Sequence, residues 1–283
     1  MAADVITSST GTNSPSVTDV TTDKPTGLAV GDLLLVCVSA NGAAANPAID
    51  TATGWTIIDS MRTSDTSASK AMWKTADSSD VAASTFTFTV PQTCNVITAQ
   101  LLRIAGHNAS SPITGANGAT GSSSIPTFSG VTPIVSSSLL ILCGSATAAT
   151  GITFSGYAVA TNNPTWTERY DGEGTDALRS FMATAVRTEI SATGNGTLTI
   201  DNGSTTWRGF LICVGAANPS LTAGFSVATS IPTPTVPLAI STTPPSLSIA
   251  ATEQVPAVAT AVPKWSDLAK NSATATNTAK NSA

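Results

Sequence analysis

Histidine occurs once in 283 residues, tyrosine twice and tryptophan five times, and charged side chains make up only 10% of the chain, against about a quarter in ordinary soluble domains. Each shortage removes a class of function. His107 is the only candidate base for a Ser-His-Asp triad and no GxSxG nucleophile elbow accompanies it, so the sequence predicts no catalytic residues and a loop role for His107. The 12 Lys and Arg are scattered rather than clustered, and without a basic patch nucleic acid is not an expected partner. The longest strongly apolar run, LLLVCV at 33–38, falls far short of the roughly 20 residues that span a bilayer, so no membrane span is expected. Met1 is followed by Ala, Ala and Asp, with no basic or apolar leader, which predicts synthesis in the cytoplasm. The four cysteines form no CxxC pair; Cys37, Cys143 and Cys213 sit in apolar runs and read as small buried hydrophobes. No cofactor is expected.

With so little charge, the surface must be wetted by Ser, Thr and Asn. That favours strands and turns over helices, because β-branched Thr fits a pleated surface and Ser and Thr favour turns. The net charge of -5 divides into -6 over residues 1–216 and +1 beyond them. NAS, NGT and NGS match glycosylation acceptors, but without a leader they read as polar turns.

An internal duplication organises the first 217 residues. GDLLLVCVSA (31–40) matches SSLLILCGSA (137–146), which places Cys37 opposite Cys143; GWT (54–56) matches TWT (165–167), which places Trp55 opposite Trp166. ASKAMWKTA then matches LRSFMATAV, TFTFTV matches GTLTI, and LLRIAG (101–106) matches LICVGA (211–216). Five matches in one order predict two halves, about 24–106 and 130–217. Short alternating segments bounded by Gly, Asn, Asp and Ser are sandwich signals, and a half of about 75 residues buries only a thin core alone. The predicted fold is all-β: one jelly-roll-like β-sandwich over residues 1–217, made of two duplicated halves, two sheets face to face. Two separate barrels are the alternative.

Beyond Ala217 the composition changes. Residues 218–263 carry eight prolines among Ser, Thr, Ala and Val and one charged residue, Glu253. This predicts an extended Pro/Ser/Thr-rich C-terminal arm, about 140 Å long if straight in polyproline II geometry. Recurrent Val, Ile and Leu suit docking on a neighbouring subunit better than a free linker. Residues 264–283 hold a ten-residue repeat, WSDLAKNSATATNTAKNSA, in which AKNSA recurs at 269–273 and 279–283. Two units cannot form a solenoid, so the repeat reads as a docking tag with Trp265 as anchor and Lys270 and Lys280 as polar contacts.

One loop offers metal chemistry: Asp171, Glu173 and Asp176 in RYDGEGTDA form an oxygen-rich candidate for calcium. The spacing is not that of an EF-hand, and a solvated hairpin loop is the alternative reading. Trp55 and Trp166, at equivalent places, are expected to cap the core; a glycan platform would use exposed aromatics in the same way.

KPTGLAVGDLLLVCVSA, the following GWT, KAMWKTA and a second half built alike resemble a domain that recurs in structural proteins of tailed-bacteriophage virions. The terminal repeat is similar to short Lys-Asn-Ser repeats at the ends of phage virion proteins, although Ala275 stands where a second aromatic is expected. The resemblance implies a non-enzymatic virion component: a capsid decoration, neck, tail or fibre protein. Its partners would be the major capsid protein or a tail protein and further copies of itself, a trimer among the candidate oligomers. The alternative is a carbohydrate-binding adhesion module of a tail fibre or surface protein that contacts a host-surface glycan through loops such as 169–177.

Overall fold

The computed structural model describes residues 2–42, 47–62, 66–147, 151–173, 178–201, 203 and 205–217. The expected arm and repeat tail lie outside the described residues. The chain runs through β1 (Asp4–Asn13), β2 (Val17–Asp23), β3 (Leu33–Gly42), β4 (Thr56–Arg62), β5 (Ser67–Thr75), a short helix α1 (Ser78–Ala82) and the 21-residue β6 (Thr85–Ala105). It continues through β7 (Ile113–Ser123), β8 (Thr127–Phe128), β9 (Ser138–Thr147), β10 (Phe154–Val159), β11 (Thr167–Glu173), β12 (Leu178–Arg187), β13 (Gly196–Ile200) and β14 (Thr205–Val214). The fold is all-β, and the strands pair antiparallel.

Two large sheets carry the architecture. The first is ordered β1-β6-β3-β5-β4, with β2 added to the early part of β6; the second is ordered β11-β12-β9-β14-β7. Read from β4 and from β11, the two orders run in parallel, with β3 and β9 as central strands. A smaller sheet, β10-β13-β8, completes the set.

The sequence predicts two layers; the structure has four. Leu33, Leu35 and Cys37 on β3 pack with Leu139, Ile141 and Cys143 on β9 in a core between the two large sheets. The intervening residues Leu34, Val36 and Val38 face the opposite way, onto Val20, Phe86, Phe88 and Val90 of an outer layer made by β2 and early β6. In the second half Leu140 and Leu142 meet Phe128, Phe154, Leu198 and Ile200 of the small sheet in the same manner. A strand covered on both faces has no solvent side, which is why LLLVCV and LLILC are apolar without alternation. Fully burying each such Leu or Ile is worth about 1.5–3 kcal/mol relative to exposure.

The interface between the large sheets changes character along its length. Past Cys37 and Cys143 the same inward positions become Ser39, Ser69, Ser145, Thr98, Ser180 and Arg208, all buried. Ser69 Oγ shares hydrogen bonds with Ser39 Oγ at 2.7 Å and with Ser145 Oγ at 3.0 Å, and Thr98 Oγ1 with Ser180 Oγ at 2.6 Å. Arg208 Nε donates to Ser145 Oγ at 2.9 Å. Burial pushes the Arg208 pKa down to about 9, which still leaves a cation at neutral pH. Buried hydroxyls cost stability unless paired, and the two bonds that cross between the sheets, Ser69–Ser145 and Thr98–Ser180, fix the position of one sheet on the other as well as holding them together.

The register corrects one of the sequence matches. Cys37 pairs with Ala71, whereas Cys143 pairs with Met182. Hence Met182 stands where Ala71 stands, and Met72 and Met182, aligned by sequence, face different cores. A slip of one residue moves a strand's side chains to the other face.

Candidate functional site

The sequence-singled residues are scattered. Trp55 packs on the first outer core, edge-on to Phe86 and Phe88 at centroid distances of 6.2 and 5.4 Å. Trp166 packs on the second, 6.4 Å from the Tyr157 ring, with its Nε1 donating to Asn163 Oδ1 at 2.9 Å. Both rings are half-buried. Asp171 lies on β11, where its Oδ2 accepts from the Phe154 backbone N–H at 3.1 Å and so ties β10 to β11. Asp176, the Glu173 side chain, Trp265, Lys270 and Lys280 lie outside the described residues. Among the described residues no group of three or more His, Cys, Asp or Glu gathers as a metal would require. His107 is buried in an isolated bridge with Ala216, where the two halves end side by side. Burial lowers its pKa, opposed by the Ile104 backbone and the Asp32 carboxylate.

A surface that sequence reasoning missed lies at the end of the second half. Ile134, Val135, Ser136, Thr188, Glu189, Ile190, Ser191 and Ala217 line a groove of about 650 Å³. Ile134 and Ile190 are each 62% exposed and lie together in this groove, which gives it an apolar floor. The first half shows what is missing. Leu28 precedes Cys37 by the same count as Ile134 precedes Cys143, yet Leu28 is buried, and Val81 of α1 packs on the same core. The helix forms there because Asp77 caps it: its carboxylate accepts from Ser79 N and Asp80 N, while Asp80 returns a bond to Asp77 N. Lys74 Nζ meets Asp80 Oδ1 at 2.7 Å.

In the second half the equivalent stretch is coil, and a buried arginine holds it. The Arg187 guanidinium is fully buried, with Nη1 donating to the Thr161 and Asn162 carbonyls at 2.7 and 3.1 Å and Nη2 to the Ser191 and Ala192 carbonyls at 3.3 Å each. One side chain therefore fixes two loops and, with them, the exposed position of Ile190. Isoleucines inside the polar stretches TPIVSSS and TEISATG were the available signal.

Thr188 and Glu189 also border a second cleft, of about 590 Å³, whose walls include Asp4, Asn162, Thr165, Arg169 and Thr184. Arg169 Nε donates to Thr184 Oγ1 at 2.8 Å. This cleft offers hydroxyls, amides and one guanidinium between two carboxylates. It has no aromatic platform, because Trp166 belongs to the core beneath. The pair of depressions thus presents an apolar half and a hydrogen-bonding half side by side, suited to covering by a protein surface. Neither a protein-family model, nor a curated protein, nor a solved structure matches this chain.

Proposed function

We propose that this chain is a non-enzymatic structural component of a bacteriophage virion, most simply a capsid decoration protein that displays the sandwich and grips neighbouring subunits through its C-terminal arm. In this reading residues 1–217 form one jelly-roll-like sandwich made of two duplicated halves, about 24–106 and 130–217. The observation that carries the proposal is the parallel strand order of the two large sheets, joined through one continuous buried interface. Matching left-handed backbones at Gly31 and Ser137, with φ of 93° and 61°, add to it, because these residues stand at equivalent places before β3 and β9. Such a unit is a rigid brick: its central strands are covered on both faces and its sheets are tied by buried hydroxyls. The sequence resemblance to virion proteins supplies the context.

The Ile134–Ile190 groove supports self-association, with a second copy as its occupant. Deleting residues 218–283 tests the arm: the truncated chain is expected to stay folded and to lose incorporation into particles, and full occupancy without the arm would contradict its role. The hydroxyl- and amide-lined cleft around Arg169 favours a second reading, a carbohydrate-binding adhesion module. Glycan-array binding by the sandwich, abolished by Arg169→Ala, would establish that reading in place of the first.

A further inference from the structure

Cys37 and Cys143 occupy the central strand of each large sheet, and both side chains enter the core between the sheets. Both are free thiols with no exposed surface. They lie within side-chain hydrogen-bonding reach of each other, and that contact together with burial holds the Cys143 thiol well above the ordinary range. A small neighbour eases the approach on one side: Ala71 lies opposite Cys37 in the β3–β5 ladder, while Met182 and Phe210 flank Cys143. The other cysteines cannot compete, because Cys94 belongs to the first outer core and Cys213 to the second.

We propose that Cys37 and Cys143 are a latent disulfide site that staples the two halves when the chain folds in the presence of a small-molecule disulfide such as oxidised glutathione. One protein thiolate attacks a glutathione sulfur, forming a mixed disulfide and releasing one glutathione thiolate. The second protein thiolate attacks the protein sulfur of that mixed disulfide, closing the Cys37–Cys143 bond and releasing the second glutathione. The two protein thiols lose two electrons, glutathione gains them, and the two thiol protons pass to the released thiolates. The staple forms while the core is still open, since a sealed, protonated thiol is a poor nucleophile. Once folded, the same burial shields it from reductants.

The test refolds the denatured full-length chain in a glutathione redox buffer and, separately, in excess reductant. Thiols are then counted in denaturant and peptides mapped without reduction. Two of four thiols should disappear, a single linked peptide should join Cys37 to Cys143, and the melting temperature should rise by about 10 °C over the reduced form, since the bond closes a loop of about 100 residues. Cys37→Ala and Cys143→Ala should each abolish the link and the rise. Four remaining thiols, or a link to Cys94 or Cys213, would overturn the proposal. The same count on reduced protein incubated with oxidised glutathione at its melting temperature, where the core of half the molecules is open, covers the case in which refolding yield is low; four unreacted thiols after that treatment would also overturn it.

Discussion

In residues 24–106 the space above the outer face of β5 holds Lys70, whose Nζ donates to the Ile49 carbonyl and to Thr51 Oγ1. In residues 130–217 the corresponding position on β12 is Phe181, which packs on Phe154 of β10 at 4.8 Å. The neighbours change with it. Val38 and Ala99 in the first half give way to Gly144 and Gly209, a directly paired couple in the β9–β14 ladder. A Cβ on Gly209 would run into the Cys143 carbonyl, and the Phe181 ring sits just above both glycines. Volume lost at two glycines is regained by one phenylalanine, so similar layers are filled by different side chains. The same contrast holds at the chain turn after each strand, helix α1 with Val81 in one half and the Arg187-held coil in the other. The inward positions differ as well, with Met182 beside Cys143 where Ala71 stands beside Cys37, so the two halves share strand order more closely than they share side chains.

Breaking the second-half devices should have the largest effects. Arg187→Ala leaves four loop carbonyls without their donor and should destabilise the protein by about 4 kcal/mol, read by denaturant unfolding. Ala76, the residue in the same ladder position of the first half, is already alanine, so a loss much below 1 kcal/mol at Arg187 would mean that the coil holds itself. Phe181→Ala opens a cavity over the paired glycines, with an expected loss of about 3–5 kcal/mol. Adding Gly209→Ala should deepen that loss rather than repair it, because the clash is with backbone. Ser69→Ala removes the hydroxyl that links Ser39 to Ser145 and should lower stability by about 1 kcal/mol.

The smallest effect concerns pH. His107 has a folded pKa below its ordinary 6.5 because burial disfavours the charged form. Between the two values the unfolded chain binds the proton and the folded chain does not. Stability from this group is therefore complete above pH 6.5 and is lost as pH falls through the lowered value. His107→Gln should flatten that part of the pH profile, and with one histidine in the chain the assignment is unambiguous.

The all-β character was legible because β-branched and apolar runs of strand length alternate with turn residues, and the runs 33–38 and 139–143 became the two central strands. The number of layers was not legible. A run buried on both faces carries no alternation, so LLLVCV cannot reveal whether one sheet or two cover it. The β5–β12 register was missed for a related reason: Met72 and Met182 match as letters, but hydrogen bonding to β3 and β9 decides which face each takes. Arg187 reads in sequence as an ordinary strand-end charge, and only the two loops that converge on it make it a clamp. The Ile134–Ile190 groove required knowing that α1 has no counterpart in the second half.

Immunogold electron microscopy of intact phage particles, with antibody raised against residues 1–217, tests the central claim most directly. The account predicts gold at regular positions on the particle surface, unchanged by washing and absent from particles lacking this chain. Particles that carry no label while the free protein stays in the lysate supernatant would contradict it.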